Sequence, residues 1–114
     1  MRAVLLGAAL AVAAIVPALA GDEVLASRFG NTTITKANGV ENHLYYAADH
    51  TFTAKQGATS TKGTWKIDGG TVCLTFATPV PGTPNPACAP VSDHKVGDTW
   101  TAGPYTVSLV AGIQ

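Results

Sequence analysis

The sequence has little of what usually marks chemistry. Its two cysteines are not spaced C-x-x-C, which excludes a thioredoxin-like redox motif and a zinc knuckle. No Gly-x-Ser-x-Gly elbow is present, so the α/β-hydrolase nucleophile is missing. Charged residues make up only 12% of the chain, with Lys+Arg 7 against Asp+Glu 7. The lysines at 36, 55, 62, 66 and 95 stand singly among threonines and glycines, a pattern that excludes a basic patch and with it nucleic-acid binding. Acids are equally sparse. Glu41 and Asp49 flank one strand, Asp68 and Asp98 fall in turns, and no pair is spaced for glycoside hydrolysis. His43, His50 and His94 lie in separate segments without a carboxylate at ligand spacing, so no metal or cofactor is expected. No stretch is long enough for crossover helices, which rules out a parallel α/β fold.

What is there begins with an export signal. Met1-Arg2 gives a short positive start, Ala3 to Val16 is apolar apart from Gly7, and Ala18-Leu19-Ala20 places small residues where a signal peptidase reads. Pro17 and that box favour cleavage between Ala20 and Gly21 over a membrane anchor. The expected layout is a signal peptide over 1–20 and a single β domain over 21–114. Contact with a membrane is then confined to the transient signal, and the mature chain is periplasmic or secreted. Cleavage removes one arginine and no acid, leaving six basic and seven acidic side chains. This near-neutral balance points to no charged partner.

In the mature chain, Asp22 to Phe29 has acids first and Arg28 last before Gly30. That order suits a short helix or an irregular lead-in. Thr32 to Thr35 reads as a strand, and Asn38-Gly39 as a type I′ hairpin turn. A second strand runs to Ala47 with Leu44 and Tyr46 on one face, followed by strands over Thr51 to Lys55 and Thr61 to Ile67. The last of these alternates Gly63, Trp65 and Ile67 with lysines and threonines. After Asp68-Gly69-Gly70, Val72, Leu74 and Phe76 alternate in the same way. Residues 79–90 hold five of the seven prolines, and neither strand nor helix is expected there. Val91 to Val96 is expected as a short edge strand, then Thr99 to Thr101, and finally a stripe of Tyr105, Val107 and Leu109. About seven short strands with turns every 8 to 12 residues predict an all-β domain, a small antiparallel barrel or sandwich.

In an oxidising compartment Cys73 and Cys88 read as one disulfide, worth about 3 kcal/mol for a loop of this length. The alternation puts Cys73 opposite Leu74 and Phe76, so the bond should lie on the outer surface of the sheet. Ser92-Asp93-His94 contains the residue types of a hydrolase triad. Neighbours along an extended chain point to different sides, however, so it reads as a decoy and no catalytic residue is assigned. Of the aromatics, Tyr46, Trp65 and Trp100 are candidates to face an apolar ligand inside a closed barrel. Barrels this small are usually filled by side chains, so a packed core is the competing expectation.

Several of these stretches resemble, taken together, a family of small exported proteobacterial β-proteins: Gly30-Asn31-Thr32, Tyr45 to Thr51, Gly63-Thr64-Trp65, and Thr71-Val72-Cys73-Leu74 with Cys88 as partner. His50 stands where that pattern has glycine. Similar ribbons occur in lipocalin-like and hydrolase-inhibitor barrels, and the resemblance implies no activity. The sequence therefore supports a non-catalytic envelope protein, either a small-ligand-binding or structural module or a protein-interaction module that uses the disulfide-closed loop 79–90.

Overall fold

The structure, a computed structural model, describes residues 21–114, so the expected signal segment lies outside the described residues. A 310 helix, Asp22–Arg28, leads into eight strands: β1 Thr32–Ala37, β2 Val40–Tyr46, β3 Thr51–Gln56, β4 Thr59–Asp68, β5 Thr71–Phe76, β6 Ala87–Pro90, β7 Thr99–Ala102 and β8 Tyr105–Val110. They form one antiparallel sheet in the order β6-β5-β4-β3-β2-β1-β8-β7. The sheet curls into a nearly closed barrel with β6 and β7 at the seam. Side chains from both edge strands reach the same interior.

Register follows from the apolar alternation. Thr33 pairs with Leu44, Leu44 with Ala54, Tyr46 with Phe52, Trp65 with Leu74 and Ile67 with Val72, so directly opposed residues share one inward face. The Asn38-Gly39 turn has φ of 53° and 77°, as a type I′ hairpin requires. Gly63 is fixed by close approach. It is paired with both Phe52 and Phe76, whose rings meet edge-on with centroids 5.4 Å apart.

The core occupies one end of the barrel. Leu25 from the 310 helix is fully buried there with Phe52 and Trp65, and Tyr46 and Val72 complete the cluster. Each such apolar side chain contributes about 1.5–3 kcal/mol on burial. Trp65 is held from several sides. Its indole N–H donates to the Ala47 carbonyl at 2.9 Å, Phe29 stacks at 5.9 Å, and His50 covers it at 4.2 Å. His50 has φ 70°, the left-handed backbone that glycine adopts freely. Its stack on Trp65 and its hydrogen bond to Asp22 hold it there.

Two expectations about elements are corrected. Ala87–Pro90, inside the stretch expected to hold no strand, forms β6. Cys88 lies directly opposite Cys73 and bonds to it, and Pro90 ends the strand at the sheet edge, where its missing N–H costs no ladder bond. This raises the strand count among the described residues to eight. Val91 to Val96, expected as an edge strand, is irregular. Its backbone is held by side chains of the 310 helix instead of by a neighbouring strand: Arg28 donates to the Ser92 carbonyl at 3.1 Å, and the Ser27 hydroxyl donates to the His94 carbonyl. The disulfide is the mark of a chain that folds outside the reducing cytoplasm. Among the described residues no helix is long and apolar enough to cross a membrane.

Candidate functional site

The barrel is filled at one end and hollow toward the other. A cavity of about 340 Å³ lies inside the barrel and reaches Gln56 and Thr59 beside the 57–58 turn, Ala102 and Tyr105 beside the 103–104 turn, and Val80 and Thr83 of the proline-rich loop. Its cause is side-chain size. The inward positions of Thr35, Ala54, Thr61, Ala87, Ala89 and Ala102 carry small residues, and all six line the space. Leu44, Leu74 and Phe76 form apolar wall between them and remain only partly buried. Asn42, Lys55, Gln56 and Thr59 make a polar rim. Val80 and Thr83 bring the proline-rich loop over the cavity. Asn85 fixes that loop by accepting the Phe76 N–H at 2.8 Å and donating to the Phe76 carbonyl at 3.4 Å.

The three aromatics singled out from the sequence separate. Tyr46 and Trp100 line the cavity, whereas Trp65 is 2% exposed within the closed end and contributes nothing to the lining. Burial pushes the Tyr46 hydroxyl up to about 12, and no hydrogen-bond partner for it lies among the described residues. Trp100 meets an imidazole ring and a guanidinium. His94 stacks on it at 3.5 Å, and the Arg28 guanidinium sits 5.3 Å from its ring centre.

Arg28 was not a candidate from the sequence, where its place at the end of a helix suited the dipole. It is 4% exposed and lines the cavity floor. Two of its N–H groups donate to the carbonyls of Val24, at 3.0 Å, and Ser92, at 3.1 Å. No carboxylate among the described residues lies within ion-pair distance of it. Burial accordingly lowers its pKa, opposed by the fields of Tyr46 and Asp93. Thr33, also in the lining, has a sealed hydroxyl with no hydrogen-bond partner among the described residues. No sequence signal distinguishes these two burials. They arise because the 310 helix folds back across the barrel end.

The Ser-His-Asp grouping differs from its sequence reading. Ser92 and His94, two residues apart, fall on one side, and the Ser92 Oγ is 2.8 Å from His94 Nε2. The acid is Asp98 rather than Asp93, with Oδ2 3.4 Å from His94 Nδ1. Alternation along an extended chain sets only Asp93 apart: Ser92 and His94, at i and i+2, share a side and do line up, and the 95–98 turn brings in Asp98 as the acid. The Lys95 amide, with the His94 ring behind it, holds the Asp98 carboxyl below the usual carboxylate range. Ser92 itself is exposed and outside the cavity lining. The string ties the 91–98 segment to Trp100 and presents the Ser92 carbonyl to Arg28.

His43 and His50 belong to other neighbourhoods, hydrogen-bonded to Glu41 and Asp22 respectively. No three His, Cys, Asp or Glu side chains among the described residues gather into a metal site. The cysteine pair bonds across β5 and β6, with Cys88 exposed. Comparison of the chain with protein-family models, curated proteins and solved structures finds no match in any of the three.

Proposed function

We propose that this chain is an exported, non-catalytic envelope protein that holds a small, largely apolar molecule inside its barrel. The observation that carries this reading is the hollow half of the barrel. Inward alanines and threonines leave about 340 Å³ open beneath apolar wall, within the range of small-molecule sites. Tyr46 and Trp100 are the ligand-facing aromatics in this reading, and Trp65 supports them from the packed end. Export rests on the segment 1–20, with cleavage between Ala20 and Gly21 and a periplasmic or secreted destination; the disulfide fits that route. The loop 79–90, considered above as a docking arm for an envelope protein, serves here as the rim of the cavity.

The test is thermal unfolding of the oxidised protein against a panel of lipids, haem and other apolar ligands, sugars and divalent metals. A ligand at a hundredfold over its dissociation constant adds about 2.7 kcal/mol, which raises the midpoint of so small a domain by roughly 10–20 °C. Trp100→Ala should remove the shift. Absence of any shift across the apolar members of the panel would overturn the reading and return attention to a protein partner on 79–90.

A further inference from the structure

We infer that the molecule held in the barrel is a medium-chain carboxylate, seated with its anionic head on Arg28 at the cavity floor and its hydrocarbon tail toward the open end. The inference rests on the cavity reading above and adds the ligand's chemical class and orientation.

Arg28 carries a charge with no ion-pair partner among the described residues. It is 4% exposed, yet its fixed partners among those residues are two backbone carbonyls and the face of Trp100. A guanidinium carries five N–H donors in a planar fork, so three remain after those bonds. A buried charge without a partner is costly, and proteins ordinarily place an acid beside it. Here no acid of the described residues comes within ion-pair distance, Asp93 acting on the guanidinium only as a field from farther off, and the group lines a cavity instead. Tyr46, 7% exposed, lines the same cavity, and its hydroxyl makes no hydrogen bond among the described residues. Two unspent donor groups lining one apolar-walled space match a carboxylate, which accepts from a guanidinium fork and a phenol together.

The rest of the cavity describes the tail. Above the floor the wall is Leu44, Val72, Leu74, Phe76 and Val107, with alanines between. At roughly 30 Å³ for a water-sized group, the volume takes on the order of ten methylene-sized units. The polar rim and Lys55 lie at the opposite end. Lys55 is exposed, so water screens it and an anion gains less there than at Arg28.

The experiment compares decanoate with 1-decanol, the same chain with and without the charge, by calorimetric titration of the oxidised protein at pH 7. Decanoate should bind at least about tenfold more tightly. In Arg28→Met that gap should close while decanol affinity stays within about threefold. Because Arg28→Met also loses the bonds to Val24 and Ser92, Tyr46→Phe provides an independent arm. It keeps the ring and should cost decanoate about three- to tenfold while leaving decanol unchanged. Equal affinity for the two ligands in the wild type would overturn the inference and leave the cavity reading standing. So would a gap left undiminished by Tyr46→Phe, or one erased by Lys55→Met. Failure of both ligands to bind would overturn this inference, while the cavity reading stands or falls on the wider apolar panel.

Discussion

Replacing Gly63 by alanine should destabilise the barrel more than its one added carbon suggests. Gly63 sits in β4 between Phe52 of β3 and Phe76 of β5. A Cβ built there falls 1.9 Å from the Thr75 carbonyl oxygen and 2.9 Å from the Phe52 ring. The ring can tilt, but the carbonyl belongs to the adjacent strand and can retreat only if β4 and β5 part. Overpacking of this kind costs about 1–3 kcal/mol, and disturbing the edge-on Phe52–Phe76 pair costs about 0.5–1.5 kcal/mol more. Alanine returns roughly 0.5–1 kcal/mol by restricting the unfolded chain. The net loss is about 2–3 kcal/mol, a fall of roughly 10–20 °C in the thermal midpoint. Gly70→Ala is the control, because its Cβ meets nothing within 4 Å and its φ lies outside the left-handed region. Far-UV dichroism across a thermal ramp would measure both. A Gly63→Ala midpoint within a few degrees of Gly70→Ala would refute the close-approach argument.

Tyr46 gives a pH signature. Its folded pKa of about 12 stands above the value near 10 of an unfolded chain, so stability should be intact below pH 10 and fall by about 2–3 kcal/mol as pH rises to 12. Arg28, with its pKa lowered, works in the opposite sense in the alkaline range. The check is therefore urea unfolding of Tyr46→Phe beside the wild type: the variant should lack the tyrosine's part of the slope, and identical slopes would contradict the burial of the hydroxyl. Thr33→Val removes a sealed, unpartnered hydroxyl and should raise stability by about 1 kcal/mol in the same assay, a loss being the adverse result. Replacing both Cys73 and Cys88 by serine should cost about 3 kcal/mol, read from urea midpoints; a change under about 1 kcal/mol would mean the cross-strand pairing of β5 and β6 holds without the bond. A fluorophosphonate should leave Ser92 unlabelled, because the exposed hydroxyl stands outside the cavity lining; labelling lost in His94→Ala would reopen catalysis.

Where local physics decides the backbone, the sequence was readable. The positive φ at Asn38 and Gly39, the alternation through Trp65 and Leu74, and the pairing of the two cysteines each depend on a few adjacent residues or on one export argument. The misreadings fell where partners come from far along the chain. Ala87–Pro90 becomes a strand because β5 offers it an edge and Cys73 fixes its register. The 91–98 segment is kept out of the sheet by Ser27 and Arg28, more than sixty residues earlier. Periodicity cannot register either effect, since the deciding bonds leave no pattern within the segment that they shape.

The hollow end was nearer to legible than it looked. Eight-stranded barrels have interiors that side chains can just fill, so a cavity requires a deficit of inward volume. That deficit is written in the alternation itself. Trp65 and Phe52 occupy inward positions at the packed end, whereas Thr35, Ala54, Thr61, Ala87, Ala89 and Ala102 occupy them around the cavity. Counting strands from apolar residues alone hides this, because alanine and leucine score alike as inward. What could not be read is the floor. Arg28 sits at the end of a seven-residue helix whose acid-first, base-last order explains it fully as a surface residue. Only the fold-back that buries Leu25 against Trp65 carries the next turn of the same helix, and its cation, under the cavity. Packing one end of the barrel and charging the floor of the other are thus a single consequence of where that helix docks.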